Sequence, residues 1–123
     1  MVIILGFYKR KAGLTHEQFC HHWKNVHGPL IRSIPDIDKY LVRYVQHHLT
    51  PDSGYPTPEG MDFDGFSEAW FVDTDARDAL FELDFFKAEV IDDERKFIDM
   101  DATRWITLDE QHVMIAGPPG LAK

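Results

Sequence analysis

The stretch VIILGFYKRKAGLTHEQFCHHWKNVHGPL, residues 2–30, predicts how the fold begins. Residues 2–8 are short, β-branched and aromatic, and charged residues and Gly13 follow them, which is typical of a buried strand. Thr15 and Gln18 then form a capping box, because the Thr15 hydroxyl can accept from the Gln18 amide while the Gln18 side chain reaches back. We therefore expect a helix from Thr15 to about Val26, with Gly28-Pro29 kinking or ending it.

Three more strands and a second helical region follow. Alternation over residues 39–48 indicates a strand with Tyr40, Val42, Tyr44, Gln46 and His48 on one face. Residues 49–64 contain three prolines and two glycines and are expected to form a long loop. The remaining elements are a strand over 66–72, a helix capped at Thr74 or Asp75 that breaks near Asp84 and resumes to about Asp99, and a strand over 104–115.

The order βαββαβ is the ferredoxin-like α+β arrangement, an antiparallel sheet with both helices on one face. Whichever parity the middle strands adopt, the other face also carries Tyr, Val, Phe or Trp. A chain of 123 residues has little else to cover that face, so a second copy is the expected cover. We expect one domain over residues 1–116, a tail over residues 117–123, and a homodimer.

Composition excludes several function classes. The formal charge is −8, from 21 acidic and 13 basic residues, which disfavours nucleic acid and anionic membrane surfaces as partners. The single cysteine, Cys20, excludes a disulfide framework and Cys-rich metal sites. No apolar run approaches the length of a membrane span, and the N-terminal basic residues follow the apolar run, the reverse of a signal peptide. The expected compartment is the cytoplasm.

The first helix carries the histidines that we weigh as functional. At 100° per residue, one apolar arc contains Phe19, Trp23, Val26 and Leu30. His22 lies near the centre of this arc and His27 near its edge. His22 is either a core histidine with satisfied ring nitrogens or an acid/base that faces a cavity between this helix and the sheet. His27 either bonds the carbonyls freed at Gly28-Pro29 or belongs to the same site.

Strands two and three offer further candidates. Tyr40, Tyr44 and His48 share a face and are either interface side chains or cavity lining. Glu68, beside Trp70, is either paired with Arg43 or an acid/base with a raised pKa. The run 92–94, Asp-Asp-Glu, is expected to be a solvated helix face. His16 and Cys20 are spaced like zinc ligands, but nothing completes the set, and nucleotide motifs are absent, so we expect neither metal nor cofactor.

Several stretches together resemble the EthD family of dimeric α+β-barrel proteins. They are YKRKAGLTHEQF (8–19), HWKNVHGPL (22–30), IPDIDKY (34–40) and DGFSEAWF (64–71). The resemblance implies the same ferredoxin-like fold, with two sheets closing face to face in the dimer, and cofactor-free chemistry in members of known activity. Those members include fungal polyketide-tailoring decarboxylases and a related muconolactone methylisomerase, while the founding member accompanies a fuel-ether-degrading oxygenase system.

The resemblance also implies roles for individual residues. His22 matches the acid/base of the isomerase, and Tyr40 matches the tyrosine that follows the Pro-x-x-x-Lys turn. The isomerase has a cysteine on strand three where this chain has Ala69, which argues against thiol-dependent isomerisation.

The sequence thus favours a cofactor-independent lyase or isomerase that transfers protons on a small, hydrophobic, oxygenated molecule such as an aromatic acid, a polyketide-like compound or a lactone. The alternatives are a non-catalytic protein that binds a hydrophobic metabolite and a cofactorless monooxygenase. The expected catalytic residues are His22, Tyr40, His27 and His48, and the expected substrate-binding residues are Trp23, Tyr44, Glu68, Trp70 and Phe71.

Overall fold

A computed structural model describes residues 1–52 and 54–120. The strands are β1 (Val2–Tyr8), β2 (Leu41–His48), β3 (Gly65–Phe71) and β4 (Arg104–Leu108). Helix α1 covers residues 16–32 as three successive stretches, α-helical His16–His22, π-helical Trp23–His27 and α-helical Gly28–Arg32. Helix α2 is Thr74–Glu82, and α3 joins a π-helical turn, Phe86–Val90, to an α-helix, Ile91–Phe97. Short 3₁₀ turns cover Ile37–Lys39 and Met100–Ala102.

The four strands form one antiparallel sheet in the order β2-β3-β1-β4. The helices cover one face, where Ile31 of α1, Leu80 of α2 and Val90 of α3 join Ile4 and Phe71 of the sheet in one apolar core. This order and pairing are those of the predicted ferredoxin-like arrangement. Within the described part of the chain, no helix has both the length and the apolar character that crossing a membrane requires.

Helix α1 begins as predicted but ends later. Thr15 Oγ1 accepts from the Gln18 amide at 3.1 Å, and Gln18 Oε1 accepts from the Thr15 amide at 2.9 Å, so the capping box is confirmed. The helix does not end near Val26, because the π-helical turn bonds the Gly28 N–H to the Trp23 carbonyl five residues back. Pro29 then lies in the first turn of the next stretch, where its missing N–H costs little.

The π-helical turn also changes which side chains face the sheet. A turn with more residues rotates the following positions relative to a regular helix. The buried line along α1 therefore runs through Phe19, Trp23, His27 and Ile31, while Val26 is exposed. The predicted arc with Val26 inside and His27 at its edge was wrong for this reason.

Two predicted strands and one predicted helix cap need correction. Strand β2 begins at Leu41 and carries a bulge between Leu41 and Arg43, which leaves Val42 exposed instead of on the face of Tyr44. Strand β4 ends at Leu108 rather than 115. Helix α2 is capped by the Asp73 side chain, which accepts from the Ala76 amide at 2.7 Å, rather than by Thr74 or Asp75. In the predicted tail, residues 121–123 lie outside the described residues.

Candidate functional site

A small cavity of about 60 Å³ lies between the sheet and helices α1 and α3. Most of its walls are apolar, and five polar side chains interrupt them: Tyr8, His27, Tyr44, Ser67 and Glu94. An outer groove of about 460 Å³ adjoins it on the side of β4 and shares Ile4, Phe81, Phe86, Glu94 and Trp105 with it. The groove has the volume of a small-molecule site, and the cavity beside it supplies the few convergent polar groups that such a site requires.

Glu94 lines both the cavity and the groove, so its carboxyl group lies where they join. Its side chain is only 12% exposed. Burial, followed by the nearby Asp93 carboxyl, raises the pKa of Glu94 to about 7, against a smaller opposing effect of Arg95. A carboxyl group with this pKa exchanges protons readily at neutral pH.

Asp93 joins two histidines of α1 to helix α3. Its Oδ1 lies 2.9 Å from His22 Nε2, and its Oδ2 lies 2.9 Å from His27 Nδ1. An ionised carboxylate only accepts hydrogen bonds, so these contacts place a proton on Nε2 of His22 and on Nδ1 of His27. Both oxygens of Asp93 are therefore used to orient imidazole rings.

The orientation of His27 brings its other nitrogen toward Glu94. His27 Nε2 lies 3.9 Å from Glu94 Oε2, and the ring is buried. Burial lowers the pKa of His27, although the Asp93 hydrogen bond opposes the shift, so the ring is neutral at pH 7 with a free lone pair on Nε2. Asp93 therefore fixes the His27 ring by a hydrogen bond, and the ring faces the Glu94 carboxyl at a distance longer than a hydrogen bond.

Two phenols face the same cavity. Tyr8 Oη lies 3.0 Å from Ser67 Oγ, and its ring lies over Gly6, where a Cβ atom would be 2.4 Å from the Tyr8 hydroxyl oxygen. Burial raises the pKa of Tyr8 well above its usual range and that of Tyr44 to about 12. Both phenols therefore stay protonated at neutral pH and are able to donate to an oxygen of a bound molecule.

The structure brings three of the sequence-predicted site residues into the cavity lining: His27, Tyr44 and Phe71. His22 and Trp23 lie behind it, the first stacked on Phe97 with ring centroids 4.5 Å apart and the second fully buried in the core. His48 stacks on Trp23 at 4.7 Å and is exposed. Tyr40 packs against the apolar core at the start of β2 and does not line the cavity.

Glu68 and Trp70 lie on the opposite face of the sheet from the cavity. Glu68 contacts His47 Nε2 and accepts from Trp70 Nε1 at 3.4 Å. The His47 hydrogen bond is the main reason that the pKa of Glu68 lies below its usual range, with a smaller contribution from Arg43. Of the two alternatives for Glu68, the geometry supports the paired, structural one, with a hydrogen bond to His47 rather than Arg43 as the main partner.

Sequence reasoning missed Glu94 and Asp93. The acidic run 92–94 was expected on a solvated face, and only Asp92 is exposed. A signal was present, because Val90 and Phe97 are both fully buried and lie three to four residues from Asp93 and Glu94. Side chains at this spacing share one helix face, so the two apolar residues mark the two acids as inward-facing.

The His16–Cys20 pair lies at a separate place in the fold. Cys20 Sγ is 3.4 Å from His16 Nε2, and His16 Nδ1 is 2.8 Å from Asp64 Oδ1. Arg10 also binds Asp64, through its backbone N–H at 2.7 Å and its guanidinium at 2.9 Å. Across residues 1–52 and 54–120, no group of three or more His, Cys, Asp or Glu side chains is arranged to hold a metal ion.

The EthD domain model matches residues 11–101, which include α1, strands β2 and β3, and the Asp93–Glu94 pair. The chain belongs to the EthD family. No curated protein sequence matches it. The resemblance seen in the sequence is therefore confirmed at the level of the family.

Solved structures similar to this EthD-family chain support the fold. An EthD-family protein from Bacillus halodurans is 23% identical, with a TM-score of 0.66 over 90% of this chain and 99% of that one. HapK from Hahella chejuensis is 15% identical, with a TM-score of 0.65 over 96% and 100%. A dimeric protein of unknown function with a ferredoxin-like fold, from Bacteroides fragilis, is 9% identical, with a TM-score of 0.63 over 89% and 95%.

Proposed function

We propose that this EthD-family protein is a homodimeric, cofactor-independent lyase or isomerase that transfers protons on a small, apolar, oxygenated molecule. The observation that carries the proposal is Glu94, whose pKa of about 7 and position between cavity and groove suit a general acid/base. Asp93 and His27 support it, because they hold an imidazole lone pair 3.9 Å from the Glu94 carboxyl.

The reaction that fits these groups begins at a carbon next to a carbonyl. The Glu94 carboxylate takes the proton from that carbon, and the electron pair of the C–H bond moves toward the carbonyl oxygen. The Tyr44 or Tyr8 hydroxyl donates to that oxygen as negative charge develops. Glu94 then returns the proton to a different carbon in an isomerisation, or to a leaving group in an elimination.

His27 and His22 have different roles in this proposal. His27 lines the cavity and lies next to Glu94, so it is a catalytic candidate. His22 does not line the cavity and acts through Asp93, so it is a positioning residue. Tyr40 and His48 also lie outside the cavity lining, and we assign them no part in the proton transfer.

A dimer is part of the proposal, because the face of the sheet away from the helices is largely apolar. On that face Phe7, Phe66 and the His47 ring stack across three strands, with centroids 5.6 Å and 4.3 Å apart. A large apolar surface of this kind normally lies in an interface. We expect sedimentation at micromolar concentration to show a dimer, and a well-folded monomer there would contradict the barrel arrangement.

Deuterium exchange tests the chemistry on several classes of compound at once. The protein is incubated in D₂O with a panel of aromatic keto acids, β-keto acids and unsaturated lactones, and proton NMR follows C–H exchange or product formation. Glu94→Gln is expected to lower the rate by roughly 10²-fold or more. Glu89→Gln, an exposed position on the same helix, is the matched control and should retain the wild-type rate.

The apolar walls of the outer groove favour a second candidate, a non-catalytic protein that holds a hydrophobic metabolite. The same deuterium-exchange samples distinguish the enzyme from the binding protein. Saturable binding of a panel member with neither exchange nor turnover, equal in wild type and Glu94→Gln, would support the binding protein and contradict the enzyme.

A further inference from the structure

A third concave surface lies at the edge of the sheet formed by β2. It is a groove of about 370 Å³ between the C-terminal half of α1, the 3₁₀ turn at Ile37–Lys39 and β2. Among the described residues that line it, three are basic, Lys24, Arg32 and Arg43, and none is acidic. This is notable in a chain with 21 acidic and 13 basic residues, because its overall field is negative.

The two basic residues of α1 are available to a ligand. Lys24 and Arg32 are both exposed. Among residues 1–52 and 54–120, neither forms an ion pair with a carboxylate within 4.0 Å. Arg43 adds a third positive charge from β2, and it also lowers the pKa of Glu68 on the neighbouring strand β3.

Most of the remaining lining is apolar, and Tyr44 and Gln46 add polar side chains. Ile37, Leu41 and Val42 line it, and the bulge in β2 is what turns Val42 outward, leaving it 56% exposed. The groove also shares Ile31, Leu41 and Tyr44 with the small internal cavity. Positive charge beside an apolar wall is complementary to a molecule that has an anionic group at one end and an apolar body.

We propose that this groove is a binding site for a small amphipathic anion, with the anionic group between Lys24 and Arg32 and the apolar body against Ile37, Leu41 and Val42. Its readout is binding alone, so its failure leaves the Glu94 proposal untouched. The volume of about 370 Å³ is within the range of small-molecule sites.

Isothermal titration with 2-naphthoate tests the site, with 2-naphthamide as the uncharged match and inorganic phosphate as the anion without an apolar body. We expect naphthoate to bind more tightly than either comparison compound, and its affinity to fall with added salt. Arg32→Gln and Lys24→Gln should each weaken naphthoate binding by roughly fivefold, the scale of losing one exposed charge pair.

Two control variants locate the effect. Lys96→Gln removes the same charge from α3, outside the groove, and Arg77→Gln removes the one basic side chain of the outer groove beside Glu94. Both should keep the wild-type affinity for naphthoate. Naphthamide binding as tightly as naphthoate, phosphate binding as tightly as naphthoate, or an equal loss in Lys96→Gln or Arg77→Gln would each overturn the proposal.

Discussion

Asp64 and Glu94 are both largely buried carboxyl groups beside a histidine of α1, yet their surroundings shift their pKa values in opposite directions. Burial alone would raise the pKa of Asp64, but the Arg10 backbone N–H, His16 and the Arg10 guanidinium outweigh it, and the pKa lies below its usual range. Glu94 lacks a comparable cation, has Asp93 beside it, and has a pKa of about 7. Burial therefore makes a reactive acid only where positive partners are few.

The difference also separates a structural role from a functional one. Asp64 connects the loop before β3 to the end of β1 and to the start of α1, through Arg10 and His16. Glu94 connects little and faces a cavity. A group that is costly to ionise and forms few hydrogen bonds is typical of a site in which function outweighs stability.

The largest effect on stability is expected at Asp64. Asp64→Ala leaves the Arg10 and His16 donors without their acceptor, and we expect the free energy of unfolding at pH 7 to fall by about 4 kcal/mol. Urea unfolding followed by tryptophan fluorescence measures it. Asp62, two residues before Asp64, forms an exposed ion pair with Lys9. Asp62→Ala is therefore the matched control and should lower the free energy of unfolding far less.

The pH dependence of Asp64 has a definite sign. The pKa of Asp64 is lower in the folded protein than in the unfolded chain. The carboxylate therefore stabilises the fold fully above the unfolded pKa, and this stabilisation is lost as pH falls through the folded pKa. The stability difference between wild type and Asp64→Ala should therefore shrink in acid. A difference that stays constant down to pH 3 would mean that the carboxylate charge is not what stabilises the fold.

The next effect is at Glu94 and has the opposite sign. Its pKa is raised from 4.5 to about 7, so its stabilising contribution is complete below the unfolded pKa and is lost as pH rises through the folded pKa. Relative to Glu94→Gln, the free energy of unfolding of the wild type should fall by about 3 kcal/mol between pH 4.5 and 8, since each pKa unit is worth about 1.4 kcal/mol. Unfolding curves of both proteins across that range measure the difference.

A matched control also makes this result decisive. Glu89→Gln lies on the same helix and is exposed, so its stability should follow the wild type at every pH. If Glu94→Gln is no more stable than wild type at pH 8, the Glu94 carboxyl is not held in the protonated form by its surroundings. That outcome would remove the basis for Glu94 as the acid/base.

The fold could be predicted from the sequence because its signals are local. A capping box at Thr15, alternation along β2 and the strand–helix order depend on neighbouring residues, and each was recognised. Errors arose where the backbone departs from the regular period, at the π-helical turn after His22 and at the bulge beside Val42.

The candidate site was harder, because it depends on a contact between distant elements. Asp93 is buried by His22 and His27, which lie 71 and 66 residues away in the sequence. The sequence analysis expected a cavity between the first helix and the sheet and named His22 and His27 as candidates for it, but it did not single out Glu94, which lines the cavity in the structure. From composition alone, a run of three acidic residues is expected on a solvent-exposed helix face. Only the packing of α3 against α1 shows that Asp93 and Glu94 point inward.

The smallest of the three effects is expected at His22 and decides between a catalytic and a positioning role. His22 binds one oxygen of Asp93, stacks on Phe97 and keeps about a quarter of its side chain exposed, at 26%. His22→Leu removes one hydrogen bond and leaves the Asp93 Oδ1 atom unpaired, so stability should fall by about 1–2 kcal/mol. His22→Gln, whose amide is able to donate to Asp93, should recover part of that loss.

Because His27 still orients toward Glu94 through the other Asp93 oxygen, turnover per folded molecule should fall much less than in Glu94→Gln, with any change appearing as a shifted pH profile. Thermal melts and deuterium-exchange rates of the two variants test this, and a loss in His22→Gln as large as in Glu94→Gln would make His22 the acid/base instead.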